Sequence, residues 1–323
     1  MREIPPIRIG NQTAFSADAP TQPFEYALAN DFDAFEWFPD KKPWGAGWGE
    51  GDLSRDKRRQ IRDAAKARGM RLSVHARWEA SPLKPEARPV LLKDIELAED
   101  LGAALLNIHL QVEEGLGRYT NSITWLLDRV SDAGIQLAIE NTPSTAAEHF
   151  NELFTRLRDL DSVPTEHVGM CLDLGHANLC HDTRHDFLAY LDRLDAKVPI
   201  IHLHLHENWG DFDSHLPLFT GPAATNATGV RSFIERLRKR RYSGSIILEQ
   251  WPRPPSLLND ARRRLNELLR EPLEELAAEE PSPPTHPARP HGLAAPGDAR
   301  RSSSPKTPDV KTRRRPESNK KAG

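Results

Sequence analysis

Five metal-capable side chains fall within fourteen residues: His202, His204, His206, Asp213 and His215. The three histidines recur at period two behind an apolar opening (Val198, Pro199, Ile200, Ile201). That spacing puts them on one face of a strand if the strand runs that far. A histidine-rich strand edge with solvated polar groups would show the same spacing. The other apolar runs of the chain decide between the two readings. FDAFEWF leads to Glu36 and Trp37, RLSVH ends in His75, and ALLNIH ends in His109. IQLAIE ends in Glu140, VGMCLD in Asp173 with His176 three residues on, and SIILE in Glu249. Imidazole mixed with carboxylate suits zinc, manganese, iron or cobalt, and no paired thiols point to a structural zinc site. Carboxylates crowded together without a cation would repel one another and take up protons, which a divalent ion prevents.

Something must carry these residues to one place. Eight short apolar runs, Ile7–Ile9 the first and Ser245–Glu249 the last, alternate with eight amphipathic segments over about 280 residues. That alternation is the α/β pattern with parallel strands. Ser54 can cap the helix that follows it, while Gly69, Gly102 and Gly134 stand where helices should stop. Helices are expected at Thr120–Ala133, Thr145–Leu160 and His181–Leu194, and a last one within Pro255–Ala278. Two doubly wound domains would alternate in the same way. However, no Pro/Gly linker divides the chain, and no phosphate-cradling glycine fingerprint follows the first strand. The simpler account is a single (β/α)8 TIM barrel over residues 1–280, whose strand ends converge on one mouth.

Composition bounds the rest. The 323 residues are 28% charged and carry a net charge of −3. From Pro281 to Gly323 there are ten Lys/Arg against three Asp/Glu, a surplus of seven, so residues 1–280 carry −10. This last stretch is rich in Pro, Ser and basic residues without aromatics, and a disordered C-terminal tail is expected. An acidic barrel argues against a surface built chiefly to grip nucleic acid. No apolar run approaches the ~20 residues of a membrane span, and the N-terminus lacks an apolar leader core, which favours the cytoplasm. Cys171 and Cys180 make no disulfide framework. Glu50, Asp52 and the Trp-rich loop before them are placed either to close the mouth or to meet a second subunit in a homo-oligomer.

The ordered motifs FEWF, SVHARW, NIHLQ, AIENTP, CLDLGHA, HLHEN, DSHLPL and IILEQ resemble the strand-end motifs of the xylose isomerase-like TIM barrels. That superfamily includes sugar isomerases, sugar-phosphate epimerases and endonuclease IV. The resemblance implies Glu140, Asp173, His204 and Glu249 as ligands of a divalent metal, zinc or manganese first, then cobalt, iron or magnesium. It implies Glu140 and Glu249 as the catalytic acid/base pair and His176 as a substrate ligand. His75, His109, Glu36, Trp37 and His206 are the further candidates for substrate contact. Six tryptophans (Trp37, Trp44, Trp48, Trp78, Trp209, Trp251) fall at strand ends or in the following loops, where rings could stack on a sugar. The endonuclease IV pattern adds His75, His109, His176, Asp213 and His215, a nine-residue cage for three zinc ions. Isomerisation or epimerisation of a sugar, sugar phosphate or polyol is the expected activity. Phosphodiester hydrolysis at abasic DNA is the alternative, and a non-catalytic metal- or sugar-binding barrel the third.

Overall fold

The strands hydrogen-bond in sequence order and the eighth pairs with the first, all in parallel, so the sheet closes. The computed structural model describes residues 6–42, 44–77, 79–160 and 165–271. Its strands are β1 (Arg8–Gln12), β2 (Ala34–Trp37), β3 (Arg71–His75), β4 (Leu105–His109), β5 (Gln136–Glu140), β6 (Val168–Asp173), β7 (Ile200–Leu205) and β8 (Ser245–Leu248). Around them lie α1 (Gln22–Ala29), α2 (Arg55–Ala67), α3 (Arg88–Leu101), α4 (Leu116–Asp132), α5 (Ala147–Arg158), α6 (Leu174–Leu179), α7 (Phe187–Arg193), α8 (Thr228–Lys239) and α9 (Ser256–Arg270). The expected (β/α)8 TIM barrel is therefore the fold. The described residues all fall within one compact unit. The expected tail from Pro281, the boundary at residue 280 and Trp78 lie outside the described residues.

Local chemistry explains the elements. The Ser54 hydroxyl accepts from the Lys57 amide at 3.2 Å and starts α2, as its sequence position predicts. Alternate residues of each strand face outward and pack on the helices. Phe35 and Trp37 of β2 meet Phe24 of α1, with ring centroids 5.3 and 5.4 Å away. The inward set is the opposite parity: Glu36, Ser73, His75, Asn107, His109, Glu140, Asp173, His202 and His204. All nine of these are polar, and they rise through the barrel to its C-terminal mouth.

β7 stops at Leu205, so the strand does not run as far as His206, which lies just beyond it. One expectation needs correction. The helix expected over His181–Leu194 is broken. A 3-10 turn at His181–Thr183 precedes α7, which starts afresh because Asp186 caps the Ala189 amide at 3.0 Å. α6, only six residues long, carries no periodic signal yet holds His176.

Candidate metal centre

β5, β6, β7 and the end of β8 deliver Glu140, Asp173, His204 and Glu249 to one point. One donor atom from each lies within 4.8 Å of the others, and all four residues are buried. The His204 Nδ1 is 3.3 Å from Glu140 Oε1 and 3.5 Å from Glu249 Oε1. Two further donor sets flank this one. His75 and His109 from β3 and β4 join Glu140 on one side, and His176, His206, Asp213 and His215 gather on the other. Glu140 belongs to both of the first two sets.

The histidines are oriented by the main chain. His75 donates from Nδ1 to the carbonyl of Ala76 at 2.7 Å, His176 to that of Asn141 at 2.8 Å, and His215 to that of Glu249 at 3.1 Å. Each keeps Nε2 for the cluster, 3.0 Å from Glu140 for His75 and 3.2 and 3.1 Å from Asp213 for the other two. His204 is turned the other way, with Nε2 2.7 Å from Glu36. An imidazole whose second nitrogen is spent on a carbonyl or carboxylate is the usual posture of a metal ligand. The same centre holds buried polar atoms with no hydrogen-bond partner: Glu140 Oε1, Asp173 Oδ2, Glu249 Oε2 and both ring nitrogens of His206. Unpartnered buried groups of this kind are costly, and a cation satisfies them. The donor chemistry thus fits divalent metal.

The electrostatics divide: against the effect of burial, neighbouring acidic groups hold His75, His176, His204 and His215 above the ordinary imidazole value, so each would give up a proton to a metal. Burial would raise the Glu140 carboxyl, but His204 and His109 hold it well below the usual carboxylate range. Burial likewise works against Asp173 and Asp213, and neighbouring histidines keep both low. Burial lifts Glu249 above its ordinary value. His109 is pushed down to about 4 by burial, which leaves it neutral and able to donate a lone pair.

The centre floors a cavity of about 760 Å³ at the C-terminal mouth, into which His75, His109, Glu140, His176, Asp213, His215 and Glu249 open. Three expected substrate contacts do not reach it. Trp37 is fully buried on the outer face of the sheet against Trp48, centroids 5.6 Å apart. Adjacent strand residues face opposite ways, so Glu36 and Trp37 cannot both line the cavity. Glu36 does point inward, but below the floor, where it accepts from Ser73 at 2.8 Å and His202 at 2.9 Å. His206 joins the Asp213 set, 3.2 Å from Asp173. Of the other tryptophans, Trp251 lines the cavity, Trp48 is buried, and Trp44 and Trp209 are exposed. Glu50 pairs with Arg77 and Lys93, and Asp52 with Lys41.

Sequence reading missed the supports. Asn107 donates to Glu140. Asn141 brackets the Asp173 main chain, donating to its carbonyl at 2.9 Å and accepting from its amide at 2.8 Å. Asn107 was detectable as the inward position one pleat before His109; Asn141 follows its strand and gave no periodic signal.

Residues 24–272 match the family model described as the xylose isomerase-like TIM barrel. The chain belongs to this family. Among solved xylose isomerase-like and related barrels, it is similar to a D-tagatose 3-epimerase-like protein (21% identity, 81% of this chain and 97% of that one, TM-score 0.63). Endonuclease IV from Thermus thermophilus is comparable (22% identity, 81% and 98% covered, TM-score 0.59). These likenesses carry the fold. An uncharacterized protein of Methanocaldococcus jannaschii is 28% identical over 141 residues, 43% of this chain and 44% of that one. The chain spans less than half the length of the curated relatives it matches. No helix among the described residues is long and apolar enough to cross a membrane.

Proposed function

We propose that the protein is a divalent-metal-dependent isomerase or epimerase acting on an unphosphorylated, sugar-like polyol. The observation that carries this reading is the chemistry of the cavity wall above the Glu140–Asp173–His204–Glu249 set. Neutral hydrogen-bonding groups dominate it, among them Gln12, Gln111, Thr142, Ser144 and Gln250, interleaved with Phe15, Phe38 and Trp251. Among the described lining residues Lys42 is the one Lys or Arg, and it is paired with Asp40. Amides and hydroxyls suit sugar hydroxyls and ring faces suit sugar carbons, whereas a phosphate would want unpaired cations.

A divalent ion held by the four-residue set, zinc or manganese by donor type, would hold two substrate oxygens and polarise a carbonyl. Glu249 is the freer carboxylate. Its Oε2 has no hydrogen-bond partner, and its side chain reaches the cavity from the end of β8. Glu140 is anchored through Oε2 by His75 and Asn107. Glu249 therefore takes the carbon-bound proton while the hydroxyl proton on that carbon passes to the carbonyl oxygen. In isomerisation Glu249 returns its proton to the neighbouring carbon, and in epimerisation Glu140 supplies one from the opposite face. His176 orients a substrate hydroxyl from the far side.

The test is deuterium incorporation from heavy water into a panel of aldoses and ketoses, followed by NMR on the metal-loaded protein. Exchange at carbon is expected, with Glu249→Gln lowering its rate at least about 100-fold. A panel with no exchange under saturating metal overturns the reading.

One observation favours a second reading. The three donor sets, two of which share Glu140, include the nine residues expected of a trinuclear phosphodiesterase and His206 besides. About three ions per chain by elemental analysis, together with nicking of an abasic-site duplex, would replace the isomerase by that activity.

A further inference from the structure

A second cavity, of about 580 Å³, lies at the opposite end of the barrel. It is bounded by the first residues of β3, β5 and β7 (Arg71, Gln136 and Ile200) and by the turn from α8 into β8. Its wall holds Arg71, Lys239, Arg240 and Arg241 and no Asp or Glu. Such a concentration of positive charge is not general basicity, because residues 1–280 carry −10.

Basic residues at a helix C-terminus often serve only the helix dipole. The pairings here separate those from the rest. Arg236 is taken by Asp192 at 2.7 and 2.8 Å, and Arg238 by the carbonyl of Glu271. Arg240 donates to the main-chain carbonyls of Leu191, Leu194 and Asp195. The Asp195 carboxylate accepts from the Lys197 amide at 2.8 Å. Arg71, Lys239 and Arg241 have no carboxylate partner among the described residues, and the half-buried Arg71 reaches only Gln136, at 3.0 Å.

Arg241 adds an independent observation. It occupies the left-handed position just after α8, with φ of 56°. α2, α3 and α4 pass their left-handed exits with Gly69, Gly102 and Gly134, at φ of 63°, 66° and 67°. α1 uses Asp31, a type tolerated there, whereas arginine has no such preference. A cation stands where glycine would relieve the backbone.

We propose that this N-terminal cavity binds a small, multiply charged anion of the phosphate-ester class through Arg71, Lys239 and Arg241. The site is remote from the metal centre and does not depend on the isomerase reading. Inorganic pyrophosphate is the probe, titrated by calorimetry into the full-length protein, both metal-loaded and after chelation and desalting. One equivalent should bind in both states. Arg241→Gly and Arg71→Gln should each weaken it about tenfold or more, and added salt should weaken it further. Arg241→Gly should keep or raise the melting temperature, because glycine adopts that φ without strain. Lost binding then cannot be lost fold. Absence of binding, binding that vanishes on chelation, or wild-type affinity in both variants overturns the assignment. A short DNA duplex that binds more tightly than pyrophosphate, and is weakened by the same substitutions, overturns the small-ligand class.

Discussion

Asn141 shows how much of the centre rests on groups that never face the cavity. Its amide makes two hydrogen bonds to the Asp173 main chain, both buried. Asn141→Ala should cost about 2–3 kcal/mol of stability in a denaturant titration, because two buried main-chain groups lose their partner. It should also weaken metal binding roughly 10- to 100-fold by competition with a chromophoric chelator. Asp94 of α3 tests a different residue-scale effect. Its carboxylate is fully buried, lacks a hydrogen-bond partner and lies 3.8 Å from Arg77. Burial pushes its pKa up to about 7, opposed by Arg77 and reinforced by Glu50. The folded chain then holds a proton that the unfolded chain releases near pH 4. Asp94 therefore lowers stability progressively as pH rises from about 4 to about 7, and no further above that. The gap between Asp94→Asn and the parent should widen in favour of the variant over that window. Its ceiling is about 4 kcal/mol, and a flat difference across the window would refute the account.

At the scale of elements, the strand ends were legible because parallel strands buried on both faces read as apolar runs. An ionisable residue closing such a run stands out. The height of each residue in the barrel was not legible. Glu36 is level with Ser73, which lies one pleat below His75. The stagger of a closed sheet sets that offset, and no single strand sequence contains it. Glu36 consequently supports His202 and His204 from beneath rather than meeting substrate. His206, expected as a substrate contact, was misplaced for a different reason: its position depends on α6, and six residues give too little periodicity to read. Gly175 in α6 lies directly over the His206 ring, and a Cβ built there would stand 2.0 Å from its Cε1. Gly175→Ala should therefore displace His206 and cost about 1–3 kcal/mol. Metal uptake by the Asp213 set should fall while the Glu140 set stays filled, as elemental analysis and a thermal melt would show.

At the scale of the molecule, the barrel concentrates Glu140, Asp173, Asp213 and Glu249 at one mouth. Bound cations would remove the repulsion among them, so folding and metal binding are linked. At free metal about 100 times the dissociation constant, the loaded form gains about 2.7 kcal/mol. For a barrel of this size that is roughly 5–10 °C in melting temperature. Chelation should lower the melting point by that much, and zinc or manganese should restore it. An unchanged melt would mean that the donor sets hold no ion.

The main-chain anchors on His75, His176 and His215 have a kinetic consequence. These rings are already clamped through Nδ1 at the angle that an incoming ion needs. Capture then requires shedding water and protons, with almost no rearrangement of the polypeptide. Loading should accordingly finish in a single fast phase after mixing, and crystals of the stripped and loaded forms should superimpose at the barrel rim.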